Sequence, residues 1–278
     1  MTQCGAVFLG PIALQIELPA ADVDVLPGIQ WGAIEAFPSP AYWTYQVLAR
    51  RVTGQSIRYR LGDSLREEVA ACLLGGHGIP AGVGVAAFRR LKEREVLKSN
   101  PSEHDLFVQL SEPLVVNGRS IKYRFARQKA RYLSIALREL LRMSPSIASG
   151  RSLRDTLVTL PGIGCKTASW IARNWLDADD VAILDIHVIR AGRLAGFFAP
   201  DLTVERDYFA LETQFLAFSK AVGVRASELD AVIWLEMASS SSTVRDLMGS
   251  FGAEAAGARS RGRAQVRRAN PNQGLLID

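Results

Sequence analysis

Lys166 and Asp185 are the two residues of this chain whose types and spacing point to chemistry. Lys166 stands in Leu160-Pro161-Gly162-Ile163-Gly164-Cys165-Lys166-Thr167-Ala168, just inside a helix start. Asp185 follows nineteen positions later, in Leu184-Asp185-Ile186-His187. A helix begins with amides that have no intrahelical partner and with the positive end of its dipole. That field, a basic surround and any burial disfavour the charged form of a lysine, and a neutral lysine is a nucleophile. A carboxylate fixed at the start of a second helix can stabilise positive charge developing on a carbon under attack. Both residues also have a plainer reading. A lysine beside such a turn can simply face a phosphate, and an aspartate before a helix is most often an N-cap.

The turn has chemistry of its own. Two helices meet through Pro-Gly-Ile-Gly, and its glycines remove the Cβ atoms that would hold a ligand away from the backbone. The amides of Gly162, Ile163 and Gly164, with Thr167 beside them, are expected to clamp one backbone phosphate without reading sequence.

These residues need elements to position them. Ser152 is expected to cap a helix burying Leu153, Leu157 and Leu160 ahead of the turn. A helix from Cys165 to Leu176 follows it, burying Ala168, Ile171, Ala172 and Trp175. Val181-Ala182-Ile183-Leu184 is a short apolar, strand-like run, and Asp185 opens a helix ending near Leu194. Upstream, Ser39-Pro40 starts a helix reaching about Thr53. Ser64 and Glu67 have capping-box spacing for another, which stops at Gly75-Gly76. Residues 77–84 are a glycine-rich loop, 85–98 a helix closed by Asn100-Pro101-Ser102, and Asn117-Gly118 a hairpin turn. The stripe Leu133, Ala136, Leu137, Leu140, Leu141 makes 126–143 a strong helix with a basic outer surface. Thr203 and Ser227 are expected to start the last two helices. Residues 1–30 hold a strand or hairpin around Ala13-Leu14-Gln15-Ile16-Glu17-Leu18.

The fold class expected is mainly α: about nine helices in two helical subdomains, with a helix-hairpin-helix motif and a small β-hairpin element. The chain divides into an N-terminal extension (1–35), a first helical subdomain carrying the hairpin (36–125), the helix-hairpin-helix unit (126–200), C-terminal helices completing a pocket (201–252) and a basic tail (253–278). From Ala255 that tail has Arg259, Arg261, Arg263, Arg267 and Arg268 against Asp278, a net 5 − 1 = +4. It reads as disordered and adds non-specific affinity for a polyanion.

Composition bounds the rest. The chain has 278 residues, 48% hydrophobic and 22% charged, with net charge +5, which suits a globular protein with a polyanionic partner. No apolar run is long enough for a membrane span and no secretory signal is visible, so a cytoplasmic location is expected. Cys4, Cys72 and Cys165 form neither a disulfide framework nor a cluster, and with three histidines a His/Cys metal site is not expected.

The two stretches Leu-Pro-Gly-Ile-Gly-Cys-Lys-Thr-Ala and Val-Ala-Ile-Leu-Asp-Ile-His-Val-Ile-Arg together resemble the helix-hairpin-helix, Gly/Pro-rich, aspartate superfamily of base-excision DNA glycosylases. The likeness runs from about Arg127 to Leu194 and includes Lys129-Ala130 on the preceding helix. It implies that Lys166 is similar to the Schiff-base lysine of the bifunctional members and Asp185 to the family aspartate. The implied reaction excises a damaged base flipped out of duplex DNA, with strand nicking by β-elimination. Non-catalytic DNA-binding proteins share the hairpin alone, and they remain the competing class.

No four closely spaced cysteines follow the aspartate helix, so neither an iron–sulfur cluster nor another cofactor is expected. That favours the 8-oxoguanine branch, in its archaeal type, over oxidised pyrimidines, alkylated bases or phage-modified bases. Trp170, four residues after Lys166, resembles a tryptophan that stacks on the flipped purine. Trp234, in Glu228-Leu229-Asp230-Ala231-Val232-Ile233-Trp234, resembles a second one; for both the alternative is an ordinary core residue. Arg51 stands where a glutamine is expected to read the purine edge, with Gln55 one turn on. His187 and Lys129 are candidate DNA contacts. The partner expected is double-stranded DNA containing a damaged base, bound by a monomer.

Overall fold

The computed structural model describes residues 1–55, 60–76, 78–143, 145–239, 246, 247 and 249. The basic tail (253–278) lies outside the described residues. Within them the chain is mainly α-helical, with ten α-helices and three two-stranded antiparallel sheets.

The N-terminus is a hairpin of β1 (Thr2–Leu9) and β2 (Ile12–Pro19), longer than the alternation suggested, followed by the small pair β3 (Asp24–Leu26) and β4 (Ile29–Gln30). α1 (Pro40–Val52) starts as its sequence demands: proline occupies the first turn and the Ser39 hydroxyl accepts the Tyr42 amide. At α2 (Leu65–Leu74) Ser64 accepts from the Glu67 amide. The Glu67 carboxylate turns instead to the Asp63 amide at 2.9 Å, so half the capping box forms.

α3 (Ala81–Glu93) begins inside the stretch read as a loop, and a single 3-10 turn (Val96–Lys98) follows it. Its glycines mark close packing. A Cβ on Gly84 would lie 3.2 Å from the Gly75 Cα. α4 (Glu103–Ser111) escaped the sequence reading, because Ser102 looked like the end of the helix before it. Ser102 caps α4, in a reciprocal capping box with Asp105. β5 (Leu114–Val116) and β6 (Arg119–Ile121) pair through Asn117 and Gly118, whose φ values of +49° and +73° are those of the tight turn that Asn-Gly predicts.

α5 (Ala126–Arg142) matches its stripe. α6 (Gly150–Leu157) starts earlier than expected: Ser149 is the cap, and Ser152 is the residue that bonds back to it. α7 (Cys165–Leu176) and α8 (Ile186–Leu194) have the expected bounds. Residues 181–184 are buried but form no strand. α9 (Val204–Ala221) kinks at Asp207, and α10 (Ala226–Ser239) begins ahead of Ser227, whose amide bonds the Asp179 carboxylate at 2.9 Å.

The core falls into two hydrophobic clusters that cut across chain order. One gathers α2 to α7 with β5. The other gathers the N-terminal hairpin, α1 and α8 to α10. α7 lies at their seam: Trp170 packs against the first cluster and Cys165 against the second.

Candidate active site at the starts of two helices

α6, the turn and α7 form the helix-hairpin-helix. Leu160 and Ile163 anchor the turn by their buried side chains. Gly162 has φ +80°, and a Cβ there would sit 2.3 Å from the Tyr132 ring, so only glycine lets the turn close over α5. The Ile163 amide donates to the Leu160 carbonyl at 3.1 Å. That corrects its expected place in a phosphate clamp. Gly164 caps α7 with extended backbone and no side chain, and a Cβ added there would meet nothing within 4 Å. The space beside Gly164, at the start of α7, is therefore open, and the first amides of a helix have no partner within it.

Lys166 is half-buried in the first turn of α7, with Thr167 beside it and Trp170 one turn on. Lys129 of α5 is its electrostatic neighbour. Burial, and then the Lys166 ammonium, hold the Lys129 amine below the usual lysine range. Lys129 turns inward and donates to the carbonyls of Leu73 (2.6 Å) and Gly75 (3.3 Å). Its expected role as a DNA contact is not what this orientation serves.

Asp185 caps α8. Its Oδ1 accepts from the amides of His187 and Val188, both at 2.9 Å, which fixes the carboxylate where a helix begins. The chain leading to it is pinned through Ala182. Its amide donates to Glu212 at 3.0 Å and its carbonyl accepts from the Tyr208 hydroxyl at 2.6 Å. Glu212 is itself held by buried Arg154. These long-range bonds replace the strand that the apolar run suggested, and no local signal announces them.

Two charged residues missed by the sequence reading join this assembly. Arg173, two turns along α7 from Lys166, bonds buried Asp230 of α10 at 3.2 Å. Burial pushes the Asp230 carboxyl up to about 7; Arg173 opposes that shift, and the nearby Asp185 and Asp179 charges add to it. A charge pair inside the apolar helices was the available signal. The His187 ring is half-buried and meets the Trp234 ring edge-on, centroids 6.3 Å apart. Trp234 is 41% exposed, which sets it apart from the fully buried core.

Arg51 and Gln55 lie at and just beyond the end of α1. Both are exposed and line a cavity of about 730 Å³ with Arg173, Trp175 and Glu228. Lys166, Trp170 and Trp234 are not among its described lining residues. Arg51 forks onto Glu228, with Nε 2.9 and 3.1 Å from the two carboxylate oxygens. The Glu228 hydrogen bond raises the Arg51 pKa above its ordinary value. The structure thus groups Lys166, Thr167, Trp170 and Lys129 at one end of α7, and Asp185, His187, Trp234, Asp230 and Arg173 beside α8 and α10. Of these residues only Arg173 shares a cavity with Arg51 and Gln55.

Among the described residues no cluster of His, Cys, Asp and Glu could hold a metal ion, and no helix is long and apolar enough to cross a membrane.

Comparison with known proteins gives one family match. Residues 58–224 fit the model described as 8-oxoguanine DNA glycosylase. Among solved structures, the 8-oxoguanine DNA glycosylase of Methanocaldococcus jannaschii shares 28% identity, with TM-score 0.48 over 61% of this chain and 76% of that one. The glycosylase/lyase of the same organism in complex with a 15mer DNA containing 8-oxoguanine shares 27%, with TM-score 0.48 over 61% and 78%. Tm1821, the 8-oxoguanine DNA glycosylase of Thermotoga maritima, shares 24%, with TM-score 0.47 over 61% and 77%.

Proposed function

The chain belongs to the 8-oxoguanine DNA glycosylase family, and from that premise we propose that it excises an oxidised purine, 8-oxoguanine, from duplex DNA and nicks the abasic site through a lysine imine. The reading rests on Lys166 in the first turn of α7, whose start has no side-chain cap, and on the Asp185 carboxylate fixed at the start of α8, both within the residues that the family model matches.

The amides of Gly164 and the first turn of α7 take one backbone phosphate and set the register of the strand. The damaged nucleotide leaves the stack and enters the seam between the two clusters. Trp170 and Trp234 offer aromatic surfaces for the flipped purine. The Lys166 amine forms a bond to C1′ as the C1′–N9 bond breaks. The base leaves with the electron pair of that bond and takes up a proton. Asp185 stabilises the positive charge that the sugar develops in this step. The amine then loses its extra proton and the sugar opens to an imine. Loss of a 2′ proton expels the 3′ phosphate as the double bond forms, and water releases the lysine. An amine and a carboxylate suffice for every step, so no cofactor is invoked. A monomer acting on duplex DNA in the cytoplasm fits this chemistry.

Borohydride trapping tests the reading. The protein should form a covalent adduct with 8-oxoguanine duplex, and Lys166→Ala should abolish both adduct and nicking. Base release without an adduct would indicate a water-dependent glycosylase. Neither release nor adduct across a panel of lesions would leave a non-catalytic DNA-binding protein.

A further inference from the structure

We propose that Gly75 and Lys129 are positioning residues for Trp170: together they fix the backbone surface on which the indole lies and so set the width of the space beside Lys166. The inference rests on the reading of Trp170 as a wall of the base pocket.

α2 ends at Leu74, and the last carbonyls of a helix have no partner within it. Here successive ones are taken by side chains from elsewhere. Lys129 donates to Leu73 at 2.6 Å and to Gly75 at 3.3 Å. The buried Tyr123 hydroxyl donates to Leu74 at 2.7 Å. The Gly75 amide donates back to the Cys72 carbonyl at 3.3 Å. A two-glycine exit from a helix would ordinarily be loose, and these bonds hold this one in place. The Lys129 ammonium also lies at the negative end of the α2 dipole, where a cation is favoured.

Gly75 is gripped on two further sides. Behind it, a Cβ on Gly84 of α3 would meet the Gly75 Cα and the Leu74 carbonyl oxygen at 3.2 Å each. In front, a Cβ on Gly75 itself would lie 3.1 Å from Cη2 and 3.3 Å from Cζ3 of Trp170. The order is therefore α3 backbone, Gly75, indole. α3 is packed in turn into the core by Val83 and Ala87, which are buried. Any atom added at Gly75 must move the indole, and the indole sits one helical turn from Lys166. The backbone of Gly75 is in the extended region, φ −92° and ψ −162°, which alanine adopts without strain.

The inference separates from fold stability because base excision and abasic-site nicking make different demands. Both need Lys166, and only excision needs a purine seated against Trp170. The experiment compares wild type, Gly75→Ala, Lys129→Met and Lys129→Arg on two duplexes, one with a single 8-oxoguanine opposite cytosine and one with a preformed abasic site. One methylene in a fitted pocket changes discrimination by about tenfold or more. Gly75→Ala and Lys129→Met should lower 8-oxoguanine excision by about that factor relative to nicking of the abasic duplex, chiefly through KM. Lys129→Arg, which keeps a cationic donor, should retain most of the wild-type ratio. A ratio unchanged in both Gly75→Ala and Lys129→Met, with wild type active on both duplexes, overturns the inference alone. A wild type that does not release 8-oxoguanine overturns the reading of the site and this inference with it.

Discussion

Arg173 and Asp230 form a buried hydrogen-bonded pair, 3.2 Å from Nη2 to Oδ1, that ties α7 to α10 beside Asp185. Burial outweighs Arg173 and raises the Asp230 carboxyl from 3.8 to about 7. The folded chain therefore holds a proton that the unfolded chain gives up. This contribution to stability is fully present below about pH 4 and is lost as pH rises through 7. Denaturant midpoints should fall between pH 5 and pH 8, by roughly 1–3 kcal/mol in unfolding free energy. Asp230→Asn should flatten that slope. An unchanged slope in the variant would place the titrating group elsewhere.

Asp185 combines a cap with a charge, and two substitutions separate them. Asparagine keeps an oxygen that accepts from His187 and Val188, so Asp185→Asn should unfold at nearly the wild-type temperature. Asp185→Ala loses the cap and about 1 kcal/mol of stability. Both should release base about 10²–10³-fold more slowly than wild type, the loss expected for one well-placed electrostatic group. DNA affinity should hold in both. Single-turnover base release and thermal melting measure the two effects; full activity in Asp185→Asn would reduce the residue to a cap.

Arg51 and Gln55 test where the base is read. The Arg51–Glu228 fork is exposed, so Arg51→Ala should cost only about 0.2–1 kcal/mol of stability. Their cavity is apart from Trp170, so Arg51→Ala and Gln55→Ala should each alter 8-oxoguanine excision by less than about twofold, under 0.5 kcal/mol of barrier. Trp170→Ala should slow it by tenfold or more, given about 1.4 kcal/mol of lost stacking. The reverse order in excision rates would move the base to the α1 cavity.

What the sequence disclosed was local. Ser39-Pro40, Asn117-Gly118, the α7 bounds and Asp185 as a cap all follow from chemistry within a few residues, and the structure has them so. Missed features came from distance. Gly82 and Gly84 read as loop because glycine is a poor helix former; what accommodates them in α3 is close packing, Gly82 against Val116 of β5 and Gly84 against the end of α2. Ser102 read as a stop because caps end one element and begin another. The clamp on Ala182 from Tyr208 and Glu212 joins residues 26 and 30 positions apart, beyond any periodicity. Arg51 was legible only as the end of a helix: the cavity that this end faces depends on how α1 packs beside α10.

Gly162 and Gly164 bracket the turn with opposite constraints, which makes them a matched test of the phosphate site. Gly162→Ala forces a Cβ into the Tyr132 ring at a φ of +80°, so it should destabilise the fold by about 1–3 kcal/mol whatever DNA does. Gly164→Ala adds a methyl group to open space at φ −90°, so its melting temperature should stay near wild type. If a phosphate approaches the α7 amides, that methyl group stands in its way, and affinity for duplex should fall by about tenfold with a shallower dependence on salt. Binding isotherms across a salt series measure both quantities. A Gly164→Ala protein that melts and binds as wild type would remove the hairpin backbone from the DNA interface, leaving Lys166 to meet the sugar without it.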